Sequence, residues 1–488
     1  MQQDIDRAAS IFGNEIDPRT YAKACRTKAR YLRAFGDDSD RPCHLAAQPA
    51  PVVGEALGVR LLRASAIPSL DLHPNAHEKP LVVGTIRMGY GHWRIALALA
   101  SCARAKGFTP YLMDLAGFPD TTASKILQRQ NKLYSLGSRL SQRFALFDKL
   151  YWEPLNSEGF RRLAYNAGDQ KTAELMGAPF SDLPRDVPFV SAHAYPAQAA
   201  VHAGLRHVVN AIPDNWPMAL HLAEGAVHTV QTPNAYFGYK ILRGMDPKRV
   251  LRPMPKGSLH CTGHYIDHEL VKRAKDDCAL RIARLDAGQP IRYLLSVGGA
   301  GAQQDLFLKI IEHLAPAIAA DRAALLVNVG DHADVWNALV REMPELAAAE
   351  CHFNDFENIR SFAQDALDGA VRGIHAFYDE EIFGAVYSTN LLMRCSDVLV
   401  TKPGELAFYP VPKLMIKRVG GHEAWGAIRA AEIGDGTYEM QTPAEICAML
   451  DCLQQEPELI ANMCLNICTA VDAGIYNGAY RVIDLAAE

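Results

Sequence analysis

A histidine stands directly after a Gly-x-Gly turn in the stretch GTIRMGYGHWRIALALA, residues 84–100. An apolar run leads into the turn, and an alanine-rich segment typical of a helix follows it. Gly89 and Gly91 lack Cβ atoms, so backbone N–H groups there can approach a ligand closely. His92 would lie in the first helical turn, where an imidazole with a pKa of about 6.5 can accept a proton. The pattern predicts either a site with a general base or a sharp strand-to-helix corner, and the turn alone leaves both open.

Position 94 limits the kind of site that this turn can form. A dinucleotide-binding fingerprint would need a third small residue there, but Arg94 occupies it, and the Gly-Lys-Ser/Thr of a P-loop is absent. Asp114 does end the next apolar run, where a ribose-binding acid would lie. A coenzyme-dependent oxidoreductase is therefore the least favoured hypothesis.

A second glycine-rich loop, SVGGAGAQQDLF, follows a later apolar run and precedes another helical segment. Gly298, Gly299 and Gly301 lie in this loop. The free N–H groups and positive dipole end of a helix start attract phosphate. We predict an anion-binding nest here.

The loop TKPGELAFYP follows the run DVLVT and carries three polar candidates. Thr401 and Lys402 could contact phosphate, and Glu405 could accept hydrogen bonds from ribose hydroxyls. The alternative is a surface turn formed by Pro403 and Gly404.

Two further loops place charged side chains at predicted strand ends. In RVGGHEAWG, His422 and Glu423 follow Gly421 and head a helix, which suits sugar hydroxyls or simple capping. An HExxH zinc motif would need histidine at position 426, where Gly426 stands, and we predict no metal site. In NAIPDNWP, Asp214 could be catalytic, could position a base or could cap a turn.

The elements that position these residues are short apolar strands alternating with helices. Such strands indicate parallel sheets covered on both faces. A break rich in Pro, Gly and His separates two series of strands, so we predict an α/β fold of two doubly wound, Rossmann-like domains facing a cleft. Ligands then bind outside the carboxyl ends of the strands. The predicted strands cover 81–86, 111–115, 188–192, 207–212, 227–232, 291–297, 324–329, 397–401 and 412–417.

The domain prediction has four segments. An irregular or helical lead-in covers 1–80, a first Rossmann-like domain covers 81–265, and a second Rossmann-like domain covers 266–465. A C-terminal helix within 466–488 would pack back on the first domain.

Composition excludes several classes of protein. The net charge of −5 gives no nucleic-acid signal, and the start of the chain has no apolar signal-peptide core. The 11 scattered cysteines indicate reduced thiols, and we expect a cytoplasmic protein.

Segment 124–152 has six Lys or Arg against one Asp, interleaved with apolar residues. It predicts either peripheral contact with the inner membrane face or a helical hairpin packed on its own domain.

Taken in order, these loops resemble landmarks of GT-B glycosyltransferases of family 28, the group of the peptidoglycan GlcNAc transferase and the diacylglycerol galactosyltransferases. The resemblance covers roughly residues 80–440. TIRMGYGHWRIALALA stands where those enzymes carry a glycine-rich turn ending in His, and NAIPDNW resembles their strand ending in Thr-Asp. LLSVGGAGAQ matches their nucleotide loop, CSDVLVTKPGELAFYPVPKLMI resembles their ADxxxTKxG…E…P stretch, and GGHEAWGAIRAAEIGDG resembles the segment that follows.

The resemblance implies a nucleotide-diphosphate sugar, UDP-linked, held by the second domain, with the acceptor on the first. His92 would be the base or would orient the acceptor, and Gly89, Gly91 and Arg94 would lie on the acceptor side. The donor-side residues would be Gly298, Gly299 and Gly301 at the diphosphate, Thr401, Lys402, Gly404 and Glu405 near the nucleotide, and Gly421, His422 and Glu423 near the sugar.

The predicted function is transfer of a sugar to an acceptor hydroxyl on a lipid or small molecule, with His92 or Asp214 taking the proton. A helix dipole can stabilise the leaving group without a metal, and no tightly bound cofactor is expected. Two alternatives stay open: nucleotide-sugar epimerisation or hydrolysis, and non-catalytic nucleotide-sugar binding. The sequence does not fix the oligomeric state.

Overall fold

The computed structural model describes residues 6–41, 43–73, 78–87, 89–143, 158–298 and 303–488. Two sheets form the framework, joined near residue 262. The first sheet has eight strands in the order β10-β9-β8-β7-β5-β6-β4-β3. Its strands are β3 (His44–Pro49), β4 (Arg60–Ser65), β5 (Pro80–Thr85), β6 (Thr109–Asp114), β7 (Phe189–Ser191), β8 (Val208–Ala211), β9 (Val227–Val230) and β10 (Leu259–Cys261). A hairpin of β1 (Ser10–Ile11) and β2 (Asn14–Glu15) precedes them.

Helices accompany this sheet, and every neighbouring pair of strands in it is parallel except β3 with β4. All six residues of β5 are buried, which explains its continuous apolar sequence. The helices are α1 (Pro18–Phe35), α2 (Gly54–Leu57), α3 (Gly91–Ala105), α4 (Thr122–Arg143), α5 (Leu163–Ala173), α6 (Ala194–His202) and α7 (Pro233–Lys240).

The second sheet has six parallel strands in the order β13-β14-β12-β11-β15-β16. They are β11 (Ile291–Ser296), β12 (Ala323–Asn328), β13 (Glu350–Phe353), β14 (Gly373–Tyr378), β15 (Val398–Thr401) and β16 (Lys413–Met415). The helices are α8 (His268–Asp286), α9 (Gln304–Ala319), α10 (Ala333–Glu342), α11 (Phe356–Asp368), α12 (Ile382–Cys395), α13 (Ala424–Ile433), α14 (Pro443–Gln455), α15 (Glu458–Asp472) and α16 (Gly478–Ala487). The predicted α/β class, with two doubly wound parallel sheets, is confirmed.

The structure differs from the irregular or helical lead-in predicted for residues 1–80. That part of the chain supplies α1 and an antiparallel edge pair, β3 and β4, whose pairing with β6 extends the first sheet. Edge strands are only half-buried, so their sequences lack the continuous apolar run that marks a central strand. The first domain therefore begins well before residue 81.

The C-terminal helix α16 packs on α3 of the first domain. Residues 466–472 of the predicted C-terminal segment belong instead to α15, which packs against α8 of the second domain. Gly478 makes the crossing possible, because a Cβ there would lie 2.1 Å from the carbonyl oxygen of Gly263. The backbone N–H of Gly478 donates to the carbonyl of His264, which ties the chain end to the domain junction.

Helix α3 is the element that both domains share. Its residues 93–103 are all buried, and it contacts α8 and α12 of the second domain as well as its own sheet. Alanine at four of these positions lets neighbouring helices approach closely on several sides. The start of α3, which carries His92, is consequently held in a fixed place between the two sheets.

Candidate active site

The loops that follow the strands of the two sheets face each other across the domain junction. His92, at the start of α3, has its Nδ1 atom 2.9 Å from the carbonyl oxygen of Ala192. A carbonyl can only accept, so Nδ1 carries a proton and the neutral ring has its lone pair on Nε2. Among the described residues, Nε2 has no hydrogen-bond partner. The tautomer of His92 is thus the one that a base needs.

His193, directly after β7, lies against His92. The two ring centroids are 4.5 Å apart, in an edge-to-face arrangement. The backbone N–H of Tyr195 donates to Nδ1 of His193 over 3.0 Å, so the proton of the neutral ring is on Nε2. Nε2 of His193 is therefore a hydrogen-bond donor, whereas Nε2 of His92 is an acceptor.

Asp214, after β8, is held by a chain of hydrogen bonds. One of its carboxylate oxygens lies 3.2 Å from Nε2 of His221, and the other ring nitrogen of His221 lies 2.6 Å from the hydroxyl of Tyr239. The Asp214 side chain remains 33% exposed, whereas His221 is buried. The carboxylate is therefore fixed in direction and still accessible from the cleft.

The charge states of these groups follow from their surroundings. Burial lowers the pKa of His92 below its ordinary value, although Asp214 and Glu405 oppose the shift. Burial disfavours the charged form of Asp214 too, but the hydrogen bond from His221 and the nearby His422 and His92 hold the pKa of Asp214 well below its usual range. At neutral pH, His92 is neutral and Asp214 is ionised.

The second domain brings a lysine and a glutamate to the opposite side of the cleft. Nζ of Lys402, after β15, forms an ion pair with Glu423. The second oxygen of Glu423 accepts hydrogen bonds from the backbone N–H groups of Val419 at 2.8 Å and Gly420 at 3.2 Å. Burial works against the charge of Lys402, but Glu423 and Glu405 raise the pKa of this lysine, so it stays protonated.

Lys402 also lies over the start of the second glycine-rich loop. A Cβ at Gly298 would stand 3.1 Å from Cε of Lys402, so the lysine side chain lies close over the backbone of this loop. Helix α9 begins after this loop, and its N-cap residue Gln303 provides no side-chain cap for the first N–H groups of the helix. Gly299 and Gly301, predicted to lie in this nest, are outside the described residues.

Glu405 reaches across the junction to the start of α3. Its Oε2 atom lies 3.1 Å from the position of a Cβ at Gly91, and its Oε1 atom is 3.9 Å from Nε of Arg94. A side chain at position 91 would therefore displace the Glu405 carboxylate slightly. Gly89 has a φ of +83° and makes the corner itself.

The side chain of Arg94 turns into the domain interface. It is 1% exposed, and its guanidinium donates to the carbonyl of Val386, to Asn390 and to Thr389, all in α12. These hydrogen bonds join α3 to the second domain. The hydroxyl of Thr401, also buried, donates to the carbonyl of Lys402 at 3.3 Å.

Further contacts close the cleft around this cluster. Trp216 of the first domain stacks on Trp425 of the second, with ring centroids 5.6 Å apart. The guanidinium of Arg87 lies 2.5 Å from Asp331, and the hydroxyl of Tyr90 donates to the same carboxylate. The loop after β5 therefore contacts the loop after β12.

The structure brings together predicted residues from both domains: His92 and Asp214 from the first, Lys402, Glu405, His422 and Glu423 from the second. Sequence analysis missed His193 and His221. His193 could have been found by the signal that marked His92, since it directly follows the apolar run PFVSA. His221 lies seven residues beyond Asp214, and no local pattern indicates that the chain folds back.

The basic segment 124–152 is described only in part. Its first turns lie in α4, where Ile126 and Leu127 are buried against the first domain, whereas Leu133 and Leu136 are exposed. Residues 144–152 lie outside the described part of the chain. Within that described part, no helix is both long and apolar enough to traverse a lipid bilayer.

Two family models match the chain. The model described as "Domain of unknown function (DUF6937)" matches residues 10–241, and the one described as "Domain of unknown function (DUF6938)" matches residues 254–487. Each range takes in one of the two sheets almost entirely. Among curated proteins, none matches the sequence.

Several solved structures are loosely similar in architecture. UDP-GlcNAc 2-epimerase from Neisseria meningitidis, bound to UDP-GlcNAc, is 12% identical with a TM-score of 0.42, covering 83% of this chain and 98% of the epimerase. S. aureus MnaA with UDP is 10% identical with a TM-score of 0.40, covering 82% and 92%. A glycosyltransferase from Rickettsia africae is 10% identical with a TM-score of 0.38, covering 83% and 96%.

Proposed function

We propose that the protein is an enzyme of the GT-B type that binds a nucleotide-diphosphate sugar, UDP-linked, and transfers the sugar to an acceptor hydroxyl. The observation that carries this proposal is the state of His92. Its proton is fixed on Nδ1 by the Ala192 carbonyl, its Nε2 lone pair is free among the described groups, and its pKa is lowered. A neutral imidazole with a directed lone pair, between two domains, is suited to general base catalysis.

Lys402 and the loop that begins at Gly298 support a diphosphate site in the second domain. The lysine is protonated and touches the loop, and the uncapped start of α9 offers N–H groups to the same region. Together these groups would stabilise the negative charge that develops on a departing diphosphate. By position we assign Thr401, Gly404 and Glu405 to the nucleotide, and Gly421, His422 and Glu423 to the sugar.

In the reaction, Nε2 of His92 takes the proton of the acceptor hydroxyl while that oxygen bonds to the anomeric carbon. The bond from this carbon to the diphosphate oxygen breaks, and its electron pair stays on the diphosphate. The imidazolium that forms is stabilised by the ionised carboxylate of Asp214, which His221 holds in place.

We expect UDP to raise the melting temperature of the full-length protein more than ADP or GDP does. A ligand at a hundredfold excess over its Kd adds about 2.7 kcal/mol to stability. The variant Lys402→Met should bind UDP about tenfold to hundredfold more weakly, because a hydrogen bond to a charged group is lost. Lys417→Met, at an exposed lysine just after β16, is the matched control and should bind as the parent does. Equal affinity in the two variants would remove Lys402 from the diphosphate site.

Epimerisation or hydrolysis of the nucleotide sugar is the second candidate, and the number of acid–base groups favours it. His92 offers an acceptor and His193 a donor within one pair of rings, and Asp214 lies beside them. Removing and returning a proton on a sugar carbon needs both kinds of group.

The products distinguish the two candidates. UDP-glucose and UDP-GlcNAc are incubated with the protein, first alone and then with a panel of hydroxyl acceptors, including diacylglycerol in vesicles. We expect free UDP and a new glycoside only when an acceptor is present. An altered or released sugar without any acceptor would instead establish the epimerase or hydrolase, and binding of UDP with no product in any mixture would overturn both enzyme proposals.

A further inference from the structure

Three side chains of metal-binding type meet at the edge of the second sheet. Glu350 and His352 are two residues apart on β13 and so project from the same face of the strand. His375 on β14 is paired in register with Glu350, which places it on that face too. His375 lies 23 residues beyond His352 in the chain, so no local sequence motif marks the three together.

Their ligand atoms converge within 4.8 Å of one another. Nε2 of His352 lies 3.3 Å from Nδ1 of His375. The carboxylate of Glu350 has one oxygen 3.6 Å from His352 and the other 3.5 Å from His375. Two imidazole nitrogens bound to one tetrahedral zinc ion, each at about 2.05 Å, stand about 3.3–3.4 Å apart. The observed separation matches that value.

In each histidine, the ring nitrogen that points away from the other histidine determines the tautomer. It thereby determines whether the nitrogen facing the other ring carries a lone pair. Nε2 of His375 lies 3.1 Å from the carbonyl of Arg372, which can only accept, so Nε2 carries the proton and Nδ1 has the lone pair. Nδ1 of His352 lies 2.5 Å from Oδ1 of Asn358 and donates to it, which leaves the lone pair on Nε2. Two lone pairs therefore face each other beside a carboxylate, an arrangement that a cation between the two nitrogens, either a metal ion or a shared proton, would stabilise.

The two rings are held rigidly in this position. His352 is stacked on Phe377 with centroids 4.7 Å apart, and Phe362 lies 4.7 Å from each of the two histidines. Both histidines are more than nine-tenths buried, whereas Glu350 is largely exposed. The site is thus preorganised on its inner side and open to solvent at a fourth position.

We propose that Glu350, His352 and His375 bind one divalent transition-metal ion of the kind that imidazole and carboxylate ligands prefer, with Zn²⁺ the best fit. Glu350 is the first residue of β13, so the site lies toward the amino ends of these strands, away from the cleft at their carboxyl ends. The ion fastens the edge strand β13 to β14 and has no part in the reaction proposed above. Its binding stabilises the second domain.

Titration of the full-length, tag-free protein with Co²⁺ tests this site. Four-coordinate Co²⁺ absorbs strongly in the visible, and we expect saturation at one ion per chain. The variant Glu350→Gln should bind at least about tenfold more weakly. Glu357→Gln, at an exposed glutamate on α11 that pairs with Arg360, is the matched control and should bind as the parent does.

Because Glu350 is exposed, its replacement is not expected to disturb folding. His375→Asn is a second variant, in which a buried ligand is removed. Added Zn²⁺ should raise the melting temperature of the parent and of Glu357→Gln, and should do so less for Glu350→Gln and His375→Asn. A parent that gives no saturable Co²⁺ spectrum, or a Glu350→Gln variant that binds like Glu357→Gln, would overturn the proposal. The histidine pair would then share a proton instead of a metal.

Discussion

Replacement of His92 by asparagine is expected to lower kcat by about 10²–10⁴-fold, the usual contribution of a general base. The amide of asparagine can still donate to the carbonyl of Ala192, as Nδ1 does in the parent. It has no basic atom in the place of Nε2, so the variant keeps the local packing and loses the proton acceptor. Steady-state turnover of a UDP-sugar with its acceptor measures the effect.

The pH profile separates a base from a residue that only orients the acceptor. Because burial lowers the pKa of His92 below its ordinary value, kcat/KM of the parent should rise with pH through a pKa below about 6.5 and then level off. The His92→Asn variant should lose this acidic limb. His207→Ala, at an exposed histidine of the same domain, should retain both the rate and the limb. A His92→Asn variant that turns over like the parent would transfer the role of base to Asp214.

The convergence of His92 and Asp214 could be predicted because parallel strands carry their functional loops at one edge of the sheet. Both residues lie in loops that follow strongly apolar runs, and such runs form the central strands of a parallel sheet. Glu405 was harder to place, because its carboxylate lies against Gly91 of the other domain. Sequence patterns indicate which element a residue ends, but not how two domains are oriented across a cleft.

Residues that act through tertiary contacts escaped prediction for the same reason. Trp216 and Trp425 stack although they are more than two hundred residues apart in the chain. Arg94 had been predicted to face the acceptor, yet its guanidinium bonds to α12 of the second domain, a partner that periodicity cannot reveal. The edge strand β13 and its neighbour β14, which carry the histidine pair, are absent from the predicted strands because partly exposed strands have mixed sequences.

A buried ion pair beneath the donor-side loops gives the largest expected effect on stability. Lys413 and Asp435 are both fully buried, with Nζ 2.7 Å from the carboxylate. Nζ also donates to the carbonyls of Tyr409 and Val411, and the hydroxyl of Tyr476 donates to Asp435. The pair joins β16 to the turn after α13 and so fixes the loops on either side.

The variant Lys413→Met should lower the free energy of unfolding by about 3–5 kcal/mol, because it leaves the carboxylate of Asp435 buried without its cation. Lys417→Met, just beyond the same strand and exposed, should change stability by less than about 0.5 kcal/mol. The double variant Lys413→Met/Asp435→Asn removes the uncompensated charge and should recover part of the loss. Urea denaturation of the three variants and the parent measures these differences, and a Lys413→Met variant as stable as Lys417→Met would contradict the role of the pair.

The stabilities of Lys413→Met and of Lys413→Met/Asp435→Asn are compared as a function of pH. The comparison shows whether the unpaired carboxylate of Asp435 causes the loss of stability. Burial raises the pKa of Asp435 even beside Lys413, and removal of the lysine should raise it further. A carboxyl whose folded pKa exceeds its unfolded value of about 3.9 loses stability as pH rises between those two values. The single variant should therefore approach the double variant near pH 4 and fall below it by a constant amount once Asp435 is ionised in the folded state. A gap between the two variants that did not change with pH would contradict ionisation of the buried Asp435 carboxyl as the cause of the loss.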